Sequence, residues 1–369
     1  MRRFATAGLF IAALSCLLAL AALSGCGAAS HPAASHPAAS LSSTGLRARF
    51  PTAEPTEYAA GLKIYDLASG RTSQIPGTRP VVRGAVNGDW TVGLVPSKLP
   101  PPPSFGPNSD MVWDLRACNV RTGEQFTLMQ GGEWWPYVSG DWVVWEHDLS
   151  PTDSDIYAFN LRTRELRPVC VAPGAQCWPQ ISGRWIVWDD SRSDCRISAY
   201  DLATGGTRIV SATGTSPMIS GAWVIWGDHG IHALNLASGK QVRVSNEGTT
   251  EGYNNGSAAF GGDWVVWVQG QTLKALDLVT GERRTVALCR GGPDSMVIAG
   301  RWVAWRTWYG RVRILACDLE TGRRIIVAKA LHGGALNGLA SVGRWILWDH
   351  GAGLRFIDPG SLTHARAEG

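Results

Sequence analysis

Acidic residues and histidines recur at one position of the sequence, directly after a short apolar run that ends in tryptophan. They stand in the stretches "EHD", "DD" and two copies of "DH". The candidates are Glu146, His147, Asp189, Asp228, His229, Asp349 and His350. Carboxylates with imidazoles suit zinc or another divalent cation, and they also suit the hydroxyl groups of a sugar. The pattern predicts a ligand or metal rim, if the fold brings these distant residues to one face.

The same residues also have an ordinary interpretation as solvated loop residues. Two other copies of the apolar run are followed by Val268 and Arg306, so the pattern is incomplete. Asp153 and Asp155 lie nearby in the chain and could add oxygen ligands for calcium. The sequence contains no H-E-x-x-H, no G-x-S-x-G and no phosphate loop before a helix, so no known enzyme motif supports catalysis.

Six cysteines follow Cys26, and their spacing bears on redox chemistry. They are Cys118, Cys170, Cys177, Cys195, Cys289 and Cys317. Cys170 and Cys177 flank the connector "VAPGAQ", which a disulfide could close, and Cys195 is a rival partner. Cys118 and Cys317 occupy matching repeat positions and are expected to be small buried apolar residues. No pair has the C-x-x-C spacing of a metal site.

The elements that must position these residues come from an internal repeat. The stretch "SGDWVVW" has seven related copies, which account for many of the 18 tryptophans. The first tryptophans of the copies are Trp90, Trp142, Trp185, Trp223, Trp264, Trp302 and Trp345. A second phrase, such as "YDLATGG" or "LDLVTGE", stands between them. Recurrence at about 40 residues indicates a repeat architecture built from one supersecondary unit.

Each repeat reads as four short strands. The tryptophan run is rich in valine and isoleucine, and residues three apart in a strand point to opposite faces, so Trp142 and Trp145 predict a strand buried on both sides. Asp or Asn shortly before glycine indicates a hairpin turn. The fold class is therefore all-β, a β-propeller of seven blades with four antiparallel strands each. A hairpin at about 62–76 either joins the C-terminal unit or belongs to an eighth blade.

These phrases resemble the TolB-type propeller repeats of bacterial and archaeal surface proteins, in which an "isG.rivw.d" strand precedes a "diy.ydl.tG" hairpin. The resemblance covers roughly residues 60 to 368. It implies a propeller that binds other macromolecules. The phrase "ALDLVTGE" also resembles the repeats of pyrroloquinoline-quinone propellers, but those place a tryptophan shortly after the turn glycine and none stands there.

The N-terminus has the features of an export signal. The basic "MRRF" precedes a long apolar run that ends in "LSGC", Leu23 to Cys26. This ending resembles the lipobox of bacterial lipoproteins, which implies cleavage before Cys26 and lipidation of its thiol; an ordinary signal peptide and an uncleaved helix are the alternatives. The expected organisation is a signal peptide over 1–25, a lipidated cysteine with a disordered tether over 26–56, and the propeller over 57–369.

Charge and composition set the expected function. The net charge is +4, of which Arg2 and Arg3 supply two units within the signal, and the remainder is too small to favour nucleic acid. We expect an extracytoplasmic, lipid-anchored propeller of the bacterial envelope that binds or scaffolds a protein or glycan, with no cofactor apart from a candidate divalent cation. The alternatives are a hydrolase or lyase that uses the acid and histidine rim, or a quinone-dependent propeller. Trp134, Trp135, Trp178 and Trp308 lie outside the repeat phrase and are candidates for an exposed binding patch.

Overall fold

The fold is described from a computed structural model of the chain. It describes residues 62–65, 72–75, 84–87, 89–98, 113–119, 121–132, 136–150, 152–191, 195–247, 257–290, 292–307, 312–329, 337–342, 344–349 and 354–361. The predicted signal peptide, the lipidation site Cys26 and the tether lie outside these residues.

Within these ranges the chain forms 29 β-strands and one short 3-10 helix, Pro359–Ser361. The first strands are β1 Leu62–Tyr65, β2 Thr72–Ile75, β3 Gly84–Asn87, β4 Trp90–Pro96, β5 Trp113–Asn119, β6 Gln125–Gly132, β7 Tyr137–Ser139, β8 Trp142–Ser150, β9 Asp153–Asn160 and β10 Leu166–Cys170. The next are β11 Gln176–Ser182, β12 Trp185–Asp190, β13 Arg196–Asp201, β14 Thr207–Ser211, β15 Thr215–Ser220, β16 Trp223–Gly227, β17 Ile231–Asn235, β18 Gln241–Ser245 and β19 Ala258–Gly261. The last are β20 Trp264–Gln269, β21 Thr272–Asp277, β22 Arg283–Leu288, β23 Ser295–Ala299, β24 Trp302–Thr307, β25 Arg313–Asp318, β26 Arg324–Lys329, β27 Asn337–Val342, β28 Trp345–Asp349 and β29 Leu354–Ile357. The described residues include no helix with the length and apolar character to span a membrane.

Strands β3 to β29 form seven antiparallel sheets in chain order, and each of these sheets has one tryptophan run as its second strand. Six sheets have four strands, and the seventh comprises β27, β28 and β29. The first strands of consecutive sheets contact each other, from β3 and β7 through to β23 and β27. This sequential arrangement of four-stranded sheets is that of a β-propeller, so the predicted fold is confirmed.

The hairpin of β1 and β2 forms a small sheet of its own. Its strands pair only with each other among the described residues. Strand β29 pairs with β28 alone in the same part of the chain. The described pairing therefore does not place the hairpin in the last blade, and the tryptophan-bearing sheets number seven.

The hairpin between the third and fourth strands of a blade ends in the same polar turn in six blades. The side-chain oxygen of an Asn or Asp accepts a hydrogen bond from the backbone N–H two residues further on, and in five of the six turns also from the N–H three residues further on. These residues are Asn119, Asn160, Asp201, Asn235, Asp277 and Asp318. In the remaining turn the N–H of Thr204 donates to the backbone carbonyl of Asp201 instead. Such Asx turns offer the chain a local hydrogen-bonding partner, which explains why the motif marks each hairpin.

The two tryptophans of a run serve two different blade interfaces. Each of six hydrophobic clusters joins the first tryptophan of one blade to the second tryptophan of the next. The pairs are Trp90 with Trp145, Trp142 with Trp188, Trp185 with Trp226, Trp223 with Trp267, Trp264 with Trp305, and Trp302 with Trp348. The prediction that the runs are buried on both faces is therefore confirmed, and burial of each indole contributes roughly 2–3 kcal/mol.

A basic residue at or just before the start of the fourth strand lies over the first tryptophan of the blade. Arg167 lies 4.9 Å above the Trp142 ring, and its Nη1 donates to the carbonyl of Leu202 in the next blade at 2.7 Å. Lys240 lies 5.7 Å above Trp223 and donates to the carbonyl of Leu278 at 3.0 Å. Cation–π contact and hydrogen bond together join one blade to the next.

Candidate binding face at the connector end of the blades

One end of the ring collects the residues that the sequence analysis singled out. Because the strands of a blade alternate in direction, the turn after the second strand and the connection after the fourth strand lie at the same end, here named the connector end. Glu146 lies in the second half of β8, Asp189 is the penultimate residue of β12, and Asp228 follows β16, so all three lie towards this end of their blades. Asp349 is the last residue of β28, and His350 lies outside the described residues.

Glu146 and Asp189 each bind the backbone of the next blade. Strands β11 and β15 have a bulge, and in each bulge the residue before proline takes a left-handed conformation, with φ of 55° at Trp178 and 53° at Ser216. The Trp178 N–H donates to Glu146 Oε2 at 3.0 Å. The Ser216 N–H donates to Asp189 Oδ2 at 3.0 Å. The two acids are thus equivalent blade-to-blade clamps on a repeated bulge.

The acid and histidine of the fourth blade interact locally. Asp228 Oδ2 accepts a hydrogen bond from Thr213 Oγ1 at 2.7 Å. The exposed His229 has a left-handed φ of 45°, and its Nε2 lies 3.9 Å from Asp228 Oδ1. A third residue, His232, stacks on Trp226 at 5.6 Å, and its Nε2 lies 2.9 Å from the Asp228 carbonyl oxygen. These contacts stabilise the turn between β16 and β17.

His147 lies on the opposite face of its strand from Glu146. Its ring meets Tyr157 edge-on at 5.8 Å, and Tyr157 belongs to the cluster between the first and second blades. Burial lowers the pKa of His147 below its ordinary value, so the imidazole is neutral at pH 7. Adjacent residues of a strand point to opposite faces, so Glu146 and His147 do not form an acid and histidine pair.

Cys177 marks the point where two of the rim acids come together. Burial, together with the neighbouring charges of Glu146 and Asp189, raises the pKa of its thiol to about 12. Its Sγ lies 3.7 Å from Ser154 Oγ. Among the described residues, no three His, Cys, Asp or Glu side chains gather in a group that could hold a metal ion. The rim as a ligand or cation site stays a prediction.

The predicted disulfide is not formed in the structure. Cys177 is a free cysteine, so it has no bond to Cys170 or Cys195. The bridge stays a prediction for the exported protein, which peptide mapping under non-reducing conditions can test. Cys118 and Cys317 are buried, as their repeat positions predict, and burial raises the pKa of both thiols.

The connector between the second and third blades is held by Asp153 and Asp155, which the sequence offers as candidate calcium ligands, and by Ser154, which the sequence does not single out. Asp153 Oδ1 accepts the Gly174 N–H at 3.0 Å, and Asp155 Oδ1 accepts the Ala172 N–H at 3.3 Å. Ser154 Oγ donates to the Gln176 carbonyl and accepts from its N–H. Burial raises the pKa of Asp155. These side chains bind the backbone, and only tertiary structure brings the connector to them.

Exposed apolar side chains also lie at this end of the second and third blades. Trp178 is 52% exposed, and Val171 and Leu149 are exposed too. Trp178 is the described member of the predicted aromatic patch, since Trp134, Trp135 and Trp308 lie outside the described residues. The sequence signal for its exposure was the shared pattern of "CWPQIS" and "TSPMIS", in which Ser216 replaces Trp178 before proline.

No family model and no curated protein matches the chain. Solved structures similar to it include one described in a study of two prolyl endopeptidases, with 14% identity over 71% of this chain and 45% of that chain and a TM-score of 0.51. TolB from Acinetobacter baumannii has 14% identity over 72% of this chain and 76% of that chain, with a TM-score of 0.39. BamB from Moraxella catarrhalis has 18% identity over 67% of this chain and 80% of that chain, with a TM-score of 0.41. At these identities the likeness concerns the fold alone, and the fold is a β-propeller.

Proposed function

We propose that this chain is a lipid-anchored β-propeller of the bacterial cell envelope that binds a protein partner through the connector end of its second and third blades, without catalysis. The observation that carries the proposal is Trp178, a tryptophan that is 52% exposed and whose backbone is held by Glu146. Large aromatic residues in fixed positions are the side chains on which protein interfaces most depend.

The arrangement of the acids supports binding over the enzyme alternative. A hydrolase or lyase that used the rim would need an acid and a base directed at one substrate atom. Glu146 and Asp189 instead accept backbone N–H groups of the next blade, and His147 packs on Tyr157 on the other face of its strand. These contacts give the rim residues a structural role that needs no ligand.

A photo-crosslinking amino acid placed at two exposed valines tests the proposal. Val171, 53% exposed, lies in the connector beside the third blade, whereas Val279, 56% exposed, lies in a turn at the opposite end of the ring. The full-length chain is expressed in the bacterium that encodes it, and the intact cells are irradiated. We expect a specific protein adduct from position 171 and none from position 279. Adducts absent from both positions, or equally abundant at both, would refute the proposal.

A further inference from the structure

Gln176 is a fully buried glutamine at the start of β11, beneath the connector between the second and third blades. Its Nε2 donates to the carbonyl of Ala172 at 2.8 Å and also to the carbonyl of Gly174. These two bonds fix the orientation of the amide, because the reverse orientation would set Oε1 against two carbonyl oxygens. Oε1 itself is buried and has no hydrogen-bond partner among the described residues. A buried acceptor of this kind is normally satisfied by protein or by an ordered water molecule.

The indole of Trp188 supplies an unsatisfied donor in the same blade. Trp188 is fully buried in the cluster between the second and third blades, and its Nε1 has no hydrogen-bond acceptor in the described part of the chain. The same holds for the second tryptophans of four other runs, which are Trp145, Trp226, Trp267 and Trp348. The unsatisfied N–H is therefore a recurring feature of the run. In the third blade an unsatisfied acceptor, Gln176 Oε1, accompanies it.

Strand register places Gln176 on the face of the sheet that carries Trp188. Gln176 is the cross-strand partner of Asp190, which lies two residues after Trp188 in β12. Cross-strand partners point to the same face, and so do residues two apart in a strand. The repeat gives the same placement, because Gly214 is the equivalent of Gln176 in the fourth blade, and a Cβ atom on Gly214 would lie 3.1 Å from Trp226 Nε1. This position of a blade therefore adjoins the N–H edge of the second tryptophan.

We infer that the interface between the second and third blades binds a water molecule between Trp188 Nε1 and Gln176 Oε1. The water accepts the indole N–H and donates one hydrogen to the amide oxygen, so it satisfies both buried groups. A direct hydrogen bond would do the same, but these two residues form none. Ser198, 2% exposed, is the cross-strand partner of Trp188, and its hydroxyl oxygen can accept the second hydrogen of the water. This inference is independent of the proposed function.

Magnetisation transfer between water and the indole proton of Trp188 tests the inference in the full-length chain. The chain is labelled with ¹⁵N, and the Trp188 indole signal is identified as the one that is lost in Trp188→Phe. We expect a rotating-frame cross-peak between this proton and water, with the sign that marks dipolar contact and not proton exchange. A crystal structure of the unaltered chain that resolves ordered water should place one oxygen within about 3.2 Å of both Trp188 Nε1 and Gln176 Oε1.

Two glutamine variants separate the acceptor from the packing of its strand. Gln176→Met removes the amide oxygen and keeps an unbranched side chain of similar length. The matched control is Gln180→Met, because Gln180 is also a buried glutamine of β11, but its Oε1 accepts the Ile219 N–H at 3.4 Å. We expect the cross-peak to weaken at least about twofold in Gln176→Met, where the water has lost a partner, and to be unchanged in Gln180→Met. Thermal unfolding checks that each variant is folded.

Absence of the cross-peak in the unaltered chain would overturn the inference. A crystal structure in which Gln176 Oε1 accepts the Trp188 N–H directly would overturn it too. Equal weakening in Gln176→Met and Gln180→Met would indicate general loosening of β11, and unchanged intensity in Gln176→Met would show that Gln176 is not a partner of the water; either result contradicts the proposed site. If Gln176→Met does not fold, the cross-peak and the crystal structure of the unaltered chain decide.

Discussion

Single side chains in this propeller act mainly across blade boundaries. Glu146 and Asp189 bind the backbone of the following blade, and Arg167 and Lys240 reach carbonyl groups there. A buried N–H that loses its acceptor costs about 1–3 kcal/mol, which is more than the net stabilisation of an ordinary hydrogen bond. Polar residues at both ends of the blades therefore contribute to the stability of the propeller at the points where two sheets meet.

The clamp at Asp189 gives a prediction for stability. Asp189→Ala leaves the Ser216 N–H without its acceptor, so we expect a loss of about 1–3 kcal/mol of unfolding free energy. Asp189→Asn retains an acceptor oxygen and should lose clearly less. Urea unfolding of the two variants measures the difference. Equal destabilisation by alanine and asparagine would show that the hydrogen bond to Ser216 has little part in stability.

The buried imidazole of His147 gives a prediction for pH. Burial lowers its pKa in the folded chain, while the unfolded chain keeps a value near 6.5. Below about pH 6.5 the unfolded state therefore binds more protons, and the stability due to this residue is lost as pH falls from about 6.5 through the lowered folded pKa. His147→Phe retains an aromatic ring beside Tyr157 and cannot be protonated. Unfolding midpoints between pH 7 and pH 5 should fall less in the variant; parallel curves would contradict the assignment.

At the scale of the strand, the tryptophan run is a two-faced element. In β16, Trp223 packs against the fifth blade, which contributes Trp267, whereas Trp226 packs against the third blade, which contributes Trp185. The intervening Val224 and Ile225 are fully buried on the two sides. A strand that is apolar on both faces must pack between two neighbouring sheets. Because each repeat contains such a strand, consecutive repeats pack against each other as the blades of a propeller.

Removal of one indole from this strand should lower the free energy of unfolding substantially. Trp223 is 5% exposed and is covered by Lys240. Trp223→Ala would leave a void between the fourth and fifth blades, and we expect a loss of about 3–5 kcal/mol. Trp178→Asn is the control, because it also removes an indole, but from an exposed position. A thermal midpoint that falls equally in both variants would contradict the burial of Trp223.

The whole molecule is held by a chain of neighbour-to-neighbour contacts. Each of the six described interfaces has its own tryptophan pair, and the first strands of successive sheets touch in order. Such an arrangement leaves both ends of the ring available for binding, and the loops at the ends are free to vary without loss of the core. The connector end of the second and third blades, with its exposed Trp178, is one such surface.

Attachment to the membrane is a prediction at this scale. The stretch "LSGC" leads us to expect that the mature chain begins at Cys26 with a diacylglyceryl thioether. Intact-mass and N-terminal peptide spectrometry of protein from a bacterial membrane fraction measures it. Cys26→Ser should release the propeller from that fraction with its thermal midpoint unchanged. A mature N-terminus that still contains Leu23 or Ser24 would refute lipidation at this site.

The architecture was predictable from the sequence because its signals are local and repeated. Trp185 and Trp188 lie three apart in a strand, so their opposite faces follow from strand geometry alone. Asp201 with Gly205 likewise marks a hairpin through contacts that span only a few residues. Seven copies of the run made these local signals unmistakable, and the structure confirms the β-propeller that they predict.

The roles of the connector-end residues were decided only by tertiary structure. Glu146 meets the N–H of Trp178, 32 residues away, because β11 bulges at that point and turns its backbone towards the preceding blade. No local sequence pattern predicts which side chain accepts the N–H of a residue in the left-handed conformation. The sequence placed Glu146 and His147 together as one candidate site, whereas the pleat of β8 sends them to different interfaces. Adjacency in sequence separates side chains in a strand, and packing between blades selects their partners.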